Sequence, residues 1–498
     1  MLFNSFQFLM FFPIVAIVYY VIPSKWRYLW LLAASYYFYM GWNPKYALLL
    51  LFTTVVTYVS GLVLDRITGS NIETSLKTRF RKITVAFSFI CNLGVLFFFK
   101  YLDFAAGIIC KILGLVNINL SYSSLNILLP VGISFFTFQS LSYTVDVYRG
   151  EIYTEKNFFR YALYVSFFPQ LVAGPIERSK NLLKQLAKPA KFDFNKAKDG
   201  LLLMLWGYFL KLLIADRIAI VIDTIYDDPA TYGGLYIVVA TVLFAFQIYC
   251  DFAGYSTIAV GTAEIMGINL MENFNAPYLS CSVAEFWRKW HISLTSWFRD
   301  YVYIPLGGNK KGNLRKYCNC LIVFLLSGLW HGASFAFVLW GALNGIYQII
   351  GTVLQPARDR LIKVFRLNSE SIGFRLYKRI VTFVLVDFAW LFFRSGSMEV
   401  ADSVLKSMLS VKNPWILFDG SLYSCGLDQK NFNFAIICIL ILLVVDYLRV
   451  KGNTIRELIG EQDWLFQVLF ITLAICFILV FGIWGSAYDA KGFIYFQF

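Results

Sequence analysis

Apolar runs recur along the whole chain, separated by short stretches where Lys and Arg gather. The run from Phe8 to Ile22 is followed by Lys25 and Arg27, and the third run by Arg66, Lys77, Arg79, Arg81 and Lys82. A helix needs about 20 apolar residues to cross a bilayer. Backbone in hydrocarbon must also satisfy its own hydrogen bonds, which a helix does within one segment. The pattern therefore predicts an all-α polytopic membrane protein with about ten or eleven spanning helices joined by short loops. A secretory signal carries its charge ahead of its apolar stretch. Here the first basic residue comes after it, so the run from Phe8 reads as a retained first helix.

Two stretches depart from a simple up-and-down count. Tyr161 to Pro175 is apolar but short, and its Pro169 and Gly174-Pro175 break any helix, so it reads as a re-entrant or packed element. Cys320 to Leu354 is almost wholly apolar with basic residues at both ends, and 35 residues are too few for two full crossings and a turn. It is expected to enter and return as short or tilted half-helices near mid-membrane, breaking where Gly328, Gly332 and Ala333 allow a bend or close packing. From Glu285 to Asp300, Phe286, Trp290, Leu294 and Trp297 recur at helical spacing with Arg288, Lys289 and Arg299 between them, which predicts an interfacial helix on the cytoplasmic side.

Composition fits hydrocarbon as the solvent. The 498 residues are 59% hydrophobic, 19% aromatic and 15% charged, against about 45–50% apolar and about 25% charged for soluble domains. The net charge of +14 lies in discrete clusters, among them Arg178 to Lys198, Lys310 to Lys316 and Arg358 to Arg379. Positive loops stay in the cytoplasm. That rule places both termini outside, including residues 486–498, and explains the charge without a nucleic-acid partner. Nine cysteines at irregular spacing define no disulfide framework, and Cys318-x-Cys320 lacks the second pair or histidines of a zinc site. There is no internal repeat or flexible linker, so residues 1–498 read as one domain.

Four places carry candidate chemistry. His331, in Ser327-Gly328-Leu329-Trp330-His331-Gly332-Ala333, is an ionisable group in an apolar run. Burial would keep its ring neutral, able to take a proton from a hydroxyl; the alternative is a core histidine bonded to a carbonyl. Ser327 lies one helical turn earlier, as a nucleophile partner or as a serine bonded to its own backbone. His291 is either a site residue or an ordinary polar position on the interfacial helix. Asp251, within Gln247 to Ser256, needs a partner wherever it is buried: it orients a histidine, lines an aqueous path, or belongs to a structural network.

At these segments the chain resembles the membrane-bound O-acyltransferase family. The resemblance rests on Leu129-Pro130-Val131-Gly132-Ile133-Ser134-Phe135-Phe136-Thr137-Phe138, Gly174-Pro175, Asp251-Phe252-Ala253-Gly254-Tyr255-Ser256, the stretch Phe286 to Gly308, and Gly328-Leu329-Trp330-His331-Gly332. It is strongest over about residues 129–345. The opening Leu2-Phe3-Asn4-Ser5 and the closing residues 493–498 point to the bacterial alginate O-acetylase branch, ahead of the D-alanyl transferases of teichoic acid. The resemblance implies helices around a thin central layer, with a funnel from each face meeting near the histidine. It matches His331 to the invariant catalytic histidine and His291 to the second signature position. Tyr255, Trp287, Trp290 and Trp330, with Asp251 and Ser327, are the implied supporting or funnel-lining residues. It implies no bound cofactor. The donor substrate is acetyl-CoA or another acyl thioester, and the acceptor a polysaccharide, reached directly or through an extracytoplasmic SGNH-type acetyltransferase partner. The location is a bacterial inner or plasma membrane, with lipid as a further partner. Two alternatives stand beside it: a D-alanyl transferase served by an acyl carrier protein, and a non-catalytic polysaccharide exporter or scaffold.

Overall fold

A computed structural model describes residues 1–484 apart from 119, 121, 126, 189 and 411. The predicted sidedness of 486–498, and the resemblance carried by 493–498, lie outside the described residues. In chain order the helices are α1 (Phe6–Val21), α2 (Arg27–Met40), α3 (Ala47–Gly69), and α4 (Thr74–Leu96), which continues through a π turn at Phe97–Tyr101 into α5 (Leu102–Leu115). Then come α6 (Ile133–Arg149), α7 (Phe158–Ser166), α8 (Phe168–Leu171), α9 (Ser179–Ala187) and α10 (Phe194–Tyr208), joined by a π-helical segment, Phe209–Ala215, to α11 (Asp216–Asp227). After these follow α12 (Leu235–Ile265), α13 (Val283–Lys289), α14 (Ile292–Phe298), α15 (Gly312–His331), α16 (Phe335–Val353), α17 (Gln355–Val364) and α18 (Ile372–Ser395). The last are α19 (Met398–Ser410), α20 (Gln429–Val450), α21 (Ile455–Gly460) and α22 (Trp464–Phe481).

Among the described residues the fold is all-α, and six elements are long and apolar enough to cross a membrane: Pro44–Gly69, Thr74–Leu115, α12, α16, α20 and α22. The pattern of apolar runs suggested more. The difference arises because several runs fold into shorter pieces, such as α1 with 16 residues, α2 with 14 and α7 with 9.

Contacts divide the chain into two compact units, residues 1–204 with 256–271 and residues 205–255 with 272–484. In the first, α3 packs on α4, α6 and α7 through a face of small and hydroxyl residues: Thr53, Thr54, Thr57, Ser60 and Gly61, all buried. Between apolar helices such residues let backbones approach closely. Tyr161 donates its hydroxyl to Thr57 Oγ1 at 2.7 Å, and a Cβ on Gly61 would lie 2.8 Å from the Tyr143 ring. The motif around Gly132 has a backbone reason. Gly132 takes φ +76° at the start of α6, and a Cβ there would sit 2.4 Å from the Leu171 carbonyl oxygen. The stretch Tyr161 to Pro175 is the predicted broken element: α7 ends at Ser166, α8 is one turn, and the segment is buried. Gln139 and Gln170 donate to the Tyr164 carbonyl at 2.7 and 2.9 Å, so buried amides take up backbone that the break frees.

In the second unit α15 and α16 form an antiparallel hairpin with α18 against it. The expectation of two half-helices is corrected here. The helices have 20 and 19 residues, about 30 Å each at 1.5 Å per residue, because α15 starts ahead of the apolar stretch and includes Arg315 and Lys316. The break falls where the small residues placed it, at Gly332 to Ser334. The hairpin closes on glycines: a Cβ on Gly328 would lie 2.3 Å from the Phe337 carbonyl oxygen, and one on Gly341 2.3 Å from that of Phe324.

Gly328→Val should therefore force the hairpin apart at a cost of about 1–3 kcal/mol. Membrane abundance and the thermal midpoint in detergent should both fall. Gly351→Ala, on the same hairpin but with nothing within 4 Å of its Cβ, should leave both unchanged or slightly raised. Equal midpoints for the two variants would refute this packing account.

Candidate active site

His331 is the last residue of α15. The chain reverses at once: Gly332 is extended, and Ser334 caps α16 by accepting the Ala336 N–H at 3.1 Å. A Cβ on Gly332 would lie 2.2 Å from the Phe337 ring, so the Gly after the histidine is sterically required. The buried His331 ring meets Trp340 edge-on at 5.0 Å, Phe393 at 5.3 Å and Trp330 at 4.9 Å between centroids. Its enclosure thus draws on α15, α16 and α18.

His291 sits in a sharper turn. The predicted interfacial helix from Phe286 to Trp297 does not form as one piece. It breaks into α13 and α14, seven residues each, and its apolar face is buried in protein. The reason lies in the packing: Trp290 inserts among Phe274, Tyr278, Phe286 and Trp390, with centroids 5.1–6.0 Å apart, and the chain must reverse to seat it. His291 makes that reversal at φ +43°, ψ +56°. A left-handed conformation costs a non-glycine residue on the order of 1–2 kcal/mol, and such strain gathers at functional sites. Its ring is 1% exposed, meets Phe252 edge-on at 4.6 Å, and lies 6.0 Å from the Trp330 ring. Burial pushes its pKa down to about 3, which keeps the imidazole neutral. Both histidines of the chain therefore flank one indole, that of Trp330.

Trp287 completes the aromatic shell. It packs on Phe324 and Trp340 and donates its indole N–H to Asn344 Oδ1 at 3.1 Å. Ser327 is buried one turn before His331 on α15. Asp251 and Tyr255 belong to a neighbouring polar cluster. Lys211, fully buried in the π-helical segment, places its ammonium 2.5 Å from Asp251 and 2.7 Å from Asp216, and 5.4 Å from the centre of the Tyr255 ring. A Cβ on Gly254 would lie 2.8 Å from the Gly207 carbonyl oxygen and 3.2 Å from Lys211. The segment Asp251 to Tyr255 thus has a physical reading: the carboxylate anchors Lys211, Phe252 shapes the His291 site, and Gly254 admits the facing backbone. Lys211 was visible to sequence reasoning as a lone charge in the run Leu201 to Ile214 and was missed. Trp340, Trp390 and Phe393 carried no signal beyond hydrophobicity.

Two imidazoles buried in an aromatic enclosure suit proton transfer to or from a hydroxyl. The model of the membrane-bound O-acyltransferase family matches residues 151–386. The chain belongs to this family and is an acyltransferase, which removes the non-catalytic exporter or scaffold. It is similar to the probable alginate O-acetylase AlgI of Pseudomonas aeruginosa, 37% identical over 82% of this chain and 75% of that one. It is also similar to the peptidoglycan O-acetyltransferase of Helicobacter pylori, 30% identical over 94% of this chain and 91% of that one. The teichoic acid D-alanyltransferase of Bacillus subtilis is 29% identical over 44% of this chain and 58% of its own length. Within the family the chain is a membrane-bound O-acetyltransferase.

The Lys211 cluster gives a test of its own. Lys211→Met leaves two buried carboxylates without their common cation, and breaking such a network costs about 3–5 kcal/mol. Folded protein in the membrane should drop severely, while Lys211→Arg, which keeps the charge, should retain most of it. Normal levels of Lys211→Met would show that the cluster is not an anchor.

Proposed function

We propose that the chain moves an acetyl group from a cytoplasmic thioester, acetyl-CoA, to a hydroxyl of an exported or cell-surface polysaccharide, with His331 as general base. The observation that carries this reading is the burial of both histidines against one indole, at the break of a hairpin that lies within the residues the family model matches. The two long matches are named for acetyl transfer to alginate and to peptidoglycan, which favours a glycan acceptor and an acetyl donor. The D-alanyltransferase matches cover 44% and 52% of this chain against 82% and 94% for the two acetyl-transfer matches, which disfavours an acyl carrier protein as donor.

In the proposed reaction His331 takes the proton of the acceptor hydroxyl while its oxygen attacks the thioester carbonyl carbon. The tetrahedral intermediate collapses with cleavage of the C–S bond. The imidazolium returns its proton to the departing thiolate, leaving an acetyl ester and the free thiol. His291 holds the reacting groups in line. Donor and acceptor reach the site by funnels from opposite faces, with the Arg66 to Lys82 and Arg358 to Arg379 clusters on the cytoplasmic side, where they favour the donor's phosphates. The acyl group leaves on the outer side of a bacterial inner or plasma membrane, directly onto the glycan or through an SGNH-type partner.

General base catalysis contributes about 10²–10⁴-fold. His331→Gln keeps bulk and some hydrogen bonding but cannot take up the proton. It should lose ester-linked acetate on the exported glycan by that order at unchanged membrane abundance, and His291→Ala should impair turnover less completely. Near-normal acetylation by His331→Gln would eliminate the base. Sidedness is tested separately: Arg360→Cys in a Cys-free background should resist an impermeant thiol reagent in intact cells, and labelling there would reverse the assignment.

A further inference from the structure

Asn273 lies in the loop after α12, and its side chain faces the His291 turn. Its Oδ1 accepts the Ser293 N–H at 3.2 Å and lies 3.3 Å from His291 Nδ1. Its carbonyl oxygen accepts the Ile292 N–H at 2.9 Å, and two residues on the Asn275 N–H reaches the Lys289 carbonyl at 3.0 Å. Asn273 thus grips the chain on the far side of the left-handed residue while Asn275 holds the near side. The bond from Ser293 fixes which amide atom points at the histidine. A flipped amide would set its NH₂ against the Ser293 N–H, donor to donor, so the atom facing the ring is the oxygen. An amide oxygen only accepts. His291 Nδ1 must then carry the proton, and in a neutral imidazole Nε2 carries the lone pair.

We infer that Asn273 is a positioning residue that locks His291 into the Nδ1–H tautomer, so that His291 works as a hydrogen-bond acceptor through Nε2. This rests on the reading of His291 as a site residue and sharpens it. The group His291 holds is then a donor, an N–H of the thioester's arm or a neighbouring hydroxyl of the acceptor whose proton His331 does not take, and not the thioester carbonyl oxygen. Ser293 Oγ lies 3.5 Å from Nδ1 as well, and its hydroxyl can accept. The ring also meets Phe252 of α12 and Trp330 of α15. Of the charged groups on the packed elements, Asp251 is engaged by Lys211, itself paired with Asp216, and Lys289 by Glu285 at 2.7 Å. The low pKa that burial gives the ring agrees with an acceptor that stays neutral.

Two variants test the inference, measured with His291→Ala on acetyl-CoA thiol release in membranes of cells that make the glycan. Asn273→Leu removes the accepting oxygen and should lower turnover on the order of 10–100-fold, by analogy with the loss of a carboxylate or carbonyl partner that orients a metal-bound imidazole. Asn273→Asp keeps an acceptor for both N–H groups and should retain turnover at neutral and alkaline pH. Its carboxylate also stabilises imidazolium, which raises the His291 pKa. The acid limb of turnover also reports His331, the general base, so the protonation of His291 is read directly from ¹⁵N-histidine spectra of the wild-type protein, with His291→Ala for assignment. Nδ1 should carry the proton and Nε2 the lone pair. An Nε2–H tautomer in the wild type overturns the inference even where Asn273→Leu fails to fold, and so does wild-type turnover by Asn273→Leu. Wild-type turnover by His291→Ala would instead overturn the reading of His291 on which the inference rests.

Discussion

The indole of Trp330 holds the site together, since the two histidines lie against it 4.9 and 6.0 Å away between centroids. The hairpin and the His291 turn bring these rings together. The α15–α16 hairpin closes on Gly328 and Gly341 and so delivers Trp330 and His331 from the end of one helix to the face of the next. The left-handed turn at His291 swings the second ring inward while Trp290 buries on the other side. Aromatic rings provide large buried area in fixed geometry. Such a shell excludes water without forming many hydrogen bonds of its own, which leaves the imidazole nitrogens as the chemically distinctive atoms.

Polar groups buried in this way must be partnered, and the partners explain much of the signature sequence. Asp251 and Asp216 neutralise Lys211 at a π-helical segment, a form of helix found disproportionately at functional sites. Removing one member of such a network costs more than the network contributes as a whole. Gly254 and Gly332 are required because a Cβ would collide with the Gly207 carbonyl and the Phe337 ring. In the first unit Gly132 and the amides of Gln139 and Gln170 play the same part around the broken α7–α8 element.

The class of fold was legible in the sequence because hydrophobic runs of spanning length report their solvent directly. His331 stood out as one of two histidines in a very apolar chain, and the small residues beside it marked the turn. Periodicity failed where a local pattern met a tertiary demand. Phe286, Trp290, Leu294 and Trp297 keep helical spacing, yet the helix breaks at His291 because Trp290 has a pocket to fill. The half-helix estimate for Cys320 to Leu354 assumed that a helix begins where apolarity begins, whereas α15 recruits Arg315 and Lys316 into its first turns. Lys211 was readable as a charge in an apolar run. Asn273, Trp390 and Phe393 were not, since nothing local says which distant ring or amide a histidine will meet.

The proposed reaction carries an acetyl group from one side of the membrane to a glycan on the other. Sealed vesicles of known orientation, holding the acceptor glycan and its partner on the side opposite the basic loops, test it most directly. With radiolabelled acetyl-CoA supplied only to the basic-loop side, label should appear as alkali-labile ester on the enclosed glycan and should depend on the protein. Transfer only when donor and acceptor share one side would contradict the account.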